Sequence, residues 1–315
     1  MSLTFKPVGA SGIAIAPLVF GGNVFGWTAD KDTSFAILDR LLDAGLTTID
    51  TADVYSRWHP GNHGGESETI LGEWFASRGA RHRIQLITKV GMDQGLSAAH
   101  IERAAEASLK RLRTDHIDIY FSHRWDGETP QAETLAAYDR LIRAGKVRII
   151  GASNFSAGQV RTALDAARRE NLPRYQILEP EYSLVERARL EGPLADVAIE
   201  QGLAVIPYYA LASGFLTGKY RSEADLAGRA RADRVRQYLN LRGLRILAAL
   251  DDVAERHGAQ PAAVALAWTM RRPGVTAPIA SASRVTQVDT LVQATQLALT
   301  DEDMAQLTAT SSPHP

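Results

Sequence analysis

With 315 residues, 45% of them hydrophobic and 23% charged, the chain has the composition of a globular protein long enough to bury a large core. Its 35 basic and 36 acidic side chains nearly cancel, so no field of one sign recruits nucleic acid or an anionic membrane, and a small-molecule partner is expected instead. Cysteine is absent, which excludes disulfides, thiolate nucleophiles, iron-sulfur clusters and cysteine zinc sites. No apolar run reaches membrane-spanning length and the opening MSLTFKPVGASG carries no targeting pattern, so no membrane partner and a cytoplasmic location are expected.

Taken in chain order, LTFKPVGASGIAIAP comes first, with Gly9 and Gly12 suited to a hairpin turn. Short apolar runs then alternate with longer amphipathic ones. Strands are predicted at Leu18–Phe20, Thr47–Asp50, Gln85–Lys89, Ile117–Phe121, Val147–Ala152, Tyr175–Leu178, Ala204–Tyr208 and Ala277–Ala280. Stretches such as TSFAILDRLLDAG, AAHIERAAEASLKRL and AGQVRTALDAARRE have helical spacing between them, with Gly45 and Gly145 as stops and Ser97 and Ser156 as amino-terminal caps. Repeated strand and helix imply parallel pairing, which either a doubly wound sheet or a closed eight-stranded barrel satisfies. Polar residues follow almost every apolar run: Gly21-Gly22-Asn23, Asp50 to Tyr55, Lys89, Ser122-His123-Arg124, Ser153-Asn154, Glu179, Tyr208-Tyr209 and Ser281 to Arg284. In a barrel all of these ends meet on one face, which favours an α/β chain folded as a (β/α)8 TIM barrel. No linker divides the chain, so residues 1–315 read as one domain. The arginine-rich segment from Gly214 to Asn240 is expected to be a mobile loop over a ligand, and the helical run from Thr300 to about Thr310 to pack outside the barrel.

The stretch TTIDTADVYS turns from β-branched residues to Asp50, Asp53 and Tyr55. A phenol can act as a general acid, a nearby cation lowers its pKa, and a lysine in a partly desolvated pocket needs a carboxylate; Tyr55, Lys89 and Asp50 thus form a coherent set. On spacing alone, a tyrosine just past a strand is more often surface structure. His123 can donate a hydrogen bond to a substrate oxygen or help set the state of the tyrosine, although taken alone such a residue is more often a buried histidine satisfied by backbone. His59 and His63 lie in a glycine-rich loop with no third ligand in register, so no metal site is expected. There is no G-x-G-x-x-G after the first strand, and GFLTGKY is one residue short of a P-loop with Tyr220 where Ser or Thr must stand. Its backbone amides with Lys219, and the Ser-Ala-Ser-Arg run from Ser281, remain anion sites. Phe25, Trp27, Trp58 and Trp125 follow strands and predict an aromatic substrate pocket, although loops packing on one another would look the same.

IDTADVY, GGESETILGEW, ITKVG, IDIYFSHRWD, AGKVRIIGASNF, EPEYSLVER, GFLTGKY and PIASASR, taken together and in this order, resemble the aldo-keto reductases over almost the whole chain. The resemblance implies an eight-stranded β/α barrel with an amino-terminal β-hairpin and two additional helices. It also implies NAD(P)H-dependent reduction of an aldehyde or ketone, reversibly, in an extended nicotinamide site. Asp50, Tyr55, Lys89 and His123 fall on the family's catalytic positions, with Tyr55 as the acid, Lys89, paired with Asp50, lowering its pKa, and His123 orienting or polarising the carbonyl. Ser153 and Asn154 would hold the carboxamide and Tyr208 would stack on the ring. The Leu211 to Lys219 loop, with Ser213 and Gly218, would follow the pyrophosphate, Gly22 would border the cofactor, and Ser281, Ser283, Arg284 and Gln287 would meet the adenosine end. Glu179 stands where the family usually has glutamine, so that one carboxamide contact is altered or needs a protonated or reoriented side chain. Ser281 and Gln287 replace common basic positions, but Arg284 can supply charge, and NADP(H) is expected over NAD(H). Channel-associated β subunits share the scaffold, so a cofactor-binding regulatory or sensor subunit with weak turnover is the rival reading; a metal- or carboxylate-dependent barrel hydrolase or isomerase is a second.

Overall fold

The computed structural model describes residues 3–312. The chain opens with an antiparallel hairpin, β1 (Lys6–Pro7) and β2 (Ala14–Ile15), with Lys6 opposite Ile15. Strands and helices then alternate: β3 (Val19–Gly21), α1 (Lys31–Asp43), β4 (Thr48–Asp50), α2 (Glu66–Arg78), β5 (Gln85–Val90), α3 (Ala98–Leu112), β6 (Ile117–Ser122), α4 (Gln131–Arg143), β7 (Val147–Ser153), α5 (Ala157–Arg169), β8 (Ile177–Glu179), α6 (Pro193–Glu200) and β9 (Ala204–Val205). A short α7 (Ala232–Arg236), the long α8 (Leu241–His257) and α9 (Pro261–Met270) lead to β10 (Ile279–Ala280), and α10 (Thr286–Gln296) and α11 (Asp301–Thr310) end the fold.

The eight strands pair in parallel in the order β10-β3-β4-β5-β6-β7-β8-β9. The two outer strands are joined in turn: Thr276 N donates to Val205 O at 2.8 Å and Ile279 N to Pro207 O at 2.8 Å, so the sheet curls back on itself as a (β/α)8 barrel. Inward side chains of Val19, Ile87, Ile119, Phe121, Ile177 and Ile279 fill the lumen, and Val8 and Ile15 of the hairpin join that cluster, so the hairpin plugs one end.

Helix formation follows the apolar spacing. In α3, Ile101, Ala104, Ala105, Ser108, Leu109 and Leu112 are buried at three- and four-residue intervals, one stripe against the barrel. Ser156 caps α5 in a full capping box with Gln159, as expected. Ser97 stands at the cap of α3 but makes no side-chain bond there; the Glu133 carboxylate accepts from Ala98 N at 3.0 Å instead. Within the Gly214 to Asn240 segment the chain forms short 3-10 turns and α7, with Val235 and Leu226 in the core. The additional helices α8 and α11 pack on each other, where Arg256 and His257 converge on buried Asp303.

Candidate active site

Strand alternation determines which polar groups meet. Along β5, Ile87 points into the lumen and so does Lys89 two residues on; β6 sends in Ile119 and Phe121 and then the chain presents His123; β8 sends in Ile177 and then Glu179. Near the carboxyl ends of the strands the inward positions thus change from hydrocarbon to charge. Lys89 is 0% exposed, Asp50 1%, Glu179 3% and His123 5%, so each must find a partner inside.

The partners are one another. Lys89 Nζ donates to Asp50 Oδ1 in a short contact, to Tyr55 OH at 2.9 Å and to Thr51 O at 3.2 Å. Tyr55 OH donates to Asp50 Oδ2 at 3.1 Å. Glu179 Oε1 lies 3.3 Å from the same ammonium, so the lysine has two carboxylates beside it, and Glu179 Oε2 is buried with no partner. The His123 ring stands 6.1 Å from the Tyr55 ring, edge to face, with Nδ1 likewise unpartnered.

Protonation states follow from these contacts. Lys89 stays an ammonium because Asp50, Glu179 and Tyr55 together outweigh the cost of its burial. Burial and then the Lys89 charge, with Arg57 and Arg124 beyond, push the His123 imidazolium well below its ordinary range, leaving a neutral ring. At Tyr55, Lys89 acts in the expected direction but does not prevail. Burial and the Asp50 charge push the phenol well up, Lys89 pulls the other way, and Glu179 adds to the rise. The phenol is thus a firmly protonated group with an ammonium 2.9 Å away.

Beside this cluster the polar groups after β7 and β9 interlock. Ser153 Oγ donates to Glu179 O at 2.9 Å, Asn154 Nδ2 donates to His123 O and to Ser153 Oγ at 3.0 Å, and Tyr208 OH donates to Asn154 Oδ1 at 2.8 Å. Ser56, Asn154, Tyr209, Ala212 and Ser213 all hold positive φ in the loops at this end, a concentration of backbone strain typical of sites that must present groups in one geometry. Gly22 is fixed by close approach: a Cβ there would come within 3.0 Å of Asp50 O and Ser67 Oγ. Ser281 Oγ donates to Asn23 Oδ1 at 2.6 Å, and Gln287 accepts from Ser283 N at 2.8 Å.

Further along the same rim, burial and then Arg231, Arg229 and Arg284 hold the Lys219 ammonium below its usual range. Like charges gathered in this way fit an anion bridging the loop that contains Leu211, Ser213 and Gly218 and the turn before α10. The unpartnered Glu179 Oε2 at one end and the basic cluster at the other fit an extended nicotinamide dinucleotide.

The aromatic residues divide. Trp58 stands 6.1 Å from Tyr55 and 5.6 Å from Trp27, and is 44% exposed, so these rings form a wall by the phenol. Phe25 does not line the mouth as expected: it is fully buried, stacked on Phe20 at 5.5 Å, and supports the wall from the core. Trp125 pairs edge-on with Phe155 at 5.2 Å. Arg231, whose guanidinium lies 5.1 Å over the Trp27 ring, was missed as a mouth residue; the run of arginines from Arg229 to Arg236 was the available signal. His59 and His63 are exposed in the loop before α2.

The strand ends of this parallel barrel gather a phenol, an ammonium, carboxylates and a neutral imidazole beside a basic rim. The chain belongs to the aldo/keto reductase family, whose profile matches residues 17–312. It is 35% identical to the oxidoreductase YrpG of Bacillus subtilis, covering 97% of this chain and 95% of that protein. It is 32% identical to the norsolorinic acid reductase stcV of Emericella nidulans, covering 94% of this chain and 78% of stcV. A probable voltage-gated potassium channel subunit beta of Arabidopsis thaliana is 32% identical over 91% of this chain and 89% of its own. The family consists of oxidoreductases that generally use NAD(P)H, mostly NADPH, on small carbonyl compounds.

Proposed function

We propose that this protein reduces an aldehyde or ketone to the alcohol with NADPH as the preferred cofactor, and that Tyr55 supplies the proton. The observation that carries this reading is the half-buried phenol held between Lys89 Nζ at 2.9 Å and Asp50 Oδ2 at 3.1 Å, both partners being buried. A bound nicotinamide supplies the hydride. The Tyr55 O–H donates to the carbonyl oxygen as negative charge develops there, and the Lys89 ammonium stabilises the phenolate left behind. Asp50 keeps the ammonium in place, and the neutral His123 ring offers a hydrogen bond to the same carbonyl oxygen. Ser153, Asn154, Glu179 and Tyr208 would hold the nicotinamide end. The loop with Leu211, Ser213, Gly218 and Lys219, and the Ser281, Ser283, Arg284 and Gln287 turn, would hold the phosphates. Trp27 and Trp58 would contact the substrate, with Arg231 above them.

Tyr55→Phe tests the reading. Carbonyl reduction should fall by about 100-fold or more, as expected for loss of a positioned acid, while NADPH still quenches tryptophan fluorescence with similar affinity. Undiminished turnover would sink the assignment. The resemblance to the Arabidopsis subunit favours a second reading, a regulatory subunit that binds cofactor and turns over slowly. NADPH binding with negligible turnover across aldehydes, ketones and sugars would establish that reading instead.

A further inference from the structure

Two carboxylates and one ammonium share the bottom of the site, and this imbalance is specific to Glu179. Were both carboxylates ionised, the cluster would hold a net negative charge with Lys89 fully buried and Asp50 and Glu179 nearly so, in surroundings too poor in solvent to support it. One proton restores neutrality, and the contacts say where it sits. Both oxygens of Asp50 already accept, one from Lys89 Nζ and one from Tyr55 OH, so Asp50 is suited to the anion. Glu179 has one longer contact, 3.3 Å from Oε1 to the ammonium, and its Oε2 accepts nothing. An unpartnered carboxylate oxygen is costly in a buried site; an unpartnered hydroxyl facing a ligand is a donor in waiting.

We infer that Glu179 carries a proton on Oε2 in the resting protein and presents that O–H to the nicotinamide carboxamide, so that the cofactor binds the acid form and its affinity falls as the pH rises. The inference rests on the proposed cofactor-dependent function. The groups facing Glu179 are Lys89 on β5, Asp50 on β4, Tyr55 beyond β4 and Tyr208 beyond β9, while Ser153 Oγ and Asn154 N hold its main-chain oxygen. Burial first and the Asp50 charge second push its carboxyl well above the usual range, against the pull of Lys89. A neutral Glu179 also removes one of the two carboxylate charges that oppose ionisation of Tyr55, so the same proton makes the phenol a better acid.

The test compares NADPH binding, by fluorescence titration, in the wild type and in Glu179→Gln, a neutral side chain that offers an N–H donor at every pH. The wild-type Kd should stay level while Glu179 keeps its proton and rise, with a slope approaching tenfold per unit, at the pH where the carboxyl ionises and above; the variant's slope there should be shallower by one proton. Titration of the cofactor phosphate and of Lys219 contributes equally to both curves. Parallel profiles would overturn the inference while leaving the proposed function intact; absence of NADPH binding at any pH would overturn both. Infrared spectra of cofactor-free wild type with isotopically labelled glutamate give a readout without a variant. A protonated carboxyl band that shifts with the label at neutral pH is expected, and its absence excludes the protonated Glu179 whatever the behaviour of the variant.

Discussion

Asp53 lies two residues before Tyr55 and has no role in the proposed chemistry, yet like Glu179 it holds a buried oxygen without a partner. That oxygen is Oδ1, and burial first and the Glu68 charge second push the Asp53 carboxyl from 3.8 up to about 7, against Arg111 and Arg57. A folded value above the unfolded one means that the native state binds the proton more tightly. The corresponding stability is fully present below about pH 4 and is lost as the pH rises through about 7. Asp53→Asn removes this dependence. In urea unfolding, the stability of the variant relative to wild type should increase by about 1–3 kcal/mol between about pH 5 and about pH 8; a constant difference would show that Asp53 does not titrate in this way. The sequence set Asp53 among the polar residues that follow a strand, but it could not show the charge of Glu68 arriving from α2. The same limit applies to Glu179. Its position after a strand was legible, whereas its place beside Lys89, three strands away in the sheet, depends on barrel closure.

Between elements, the packing of α2 on α3 turns on one missing side chain. A Cβ on Gly72 would come within 2.1 Å of Arg111 O and 2.9 Å of Leu112 Cα, so the two helices approach backbone to backbone. Gly72→Ala gains about 1 kcal/mol of helix propensity, but the overlap with rigid backbone forces the helices apart. The expected net loss is about 1–3 kcal/mol of stability, read as a lower urea midpoint at unchanged m. A stabilised variant would mean that the helices can slide without cost. The shift should also disturb the ion pair of Arg111 with buried Glu68, whose other oxygen accepts from Thr88 beside Lys89. The strand and helix alternation behind such contacts was readable because the buried stripes and inward positions repeat at 3.6 and 2 residues. Strand ends were less so. Tyr175 was expected to open a strand that begins at Ile177, because its ring packs on Phe155 and its hydroxyl meets Ser122 rather than continuing a ladder. The Gly214 to Asn240 segment looked irregular because its turns are too short for periodicity to register.

For the whole molecule, closure of the barrel brings segments far apart in sequence onto one rim: Asn23 meets Ser281, and Lys219 shares its surroundings with Arg231 and Arg284. Eight polar strand ends made that convergence legible, but which ends become neighbours followed only from the sheet order. A dinucleotide spanning the rim from Glu179 to Arg284 would tie these segments together, so binding should report as stability of the entire fold. At a hundredfold excess over Kd, NADPH should add about 2.7 kcal/mol, and Tyr55→Phe should keep that gain because the phenol acts on the carbonyl. Arg284→Ala separates the two cofactors. If Arg284 meets the 2′-phosphate, the variant should weaken NADPH by about tenfold, or about 1.4 kcal/mol, and leave NADH nearly unchanged, because only NADPH carries that charge. Thermal shifts measured with each cofactor on both proteins check this. Equal losses with NADPH and NADH would instead place Arg284 against a phosphate common to both, and the preference for NADPH would then have to come from Lys219 and the arginines around it.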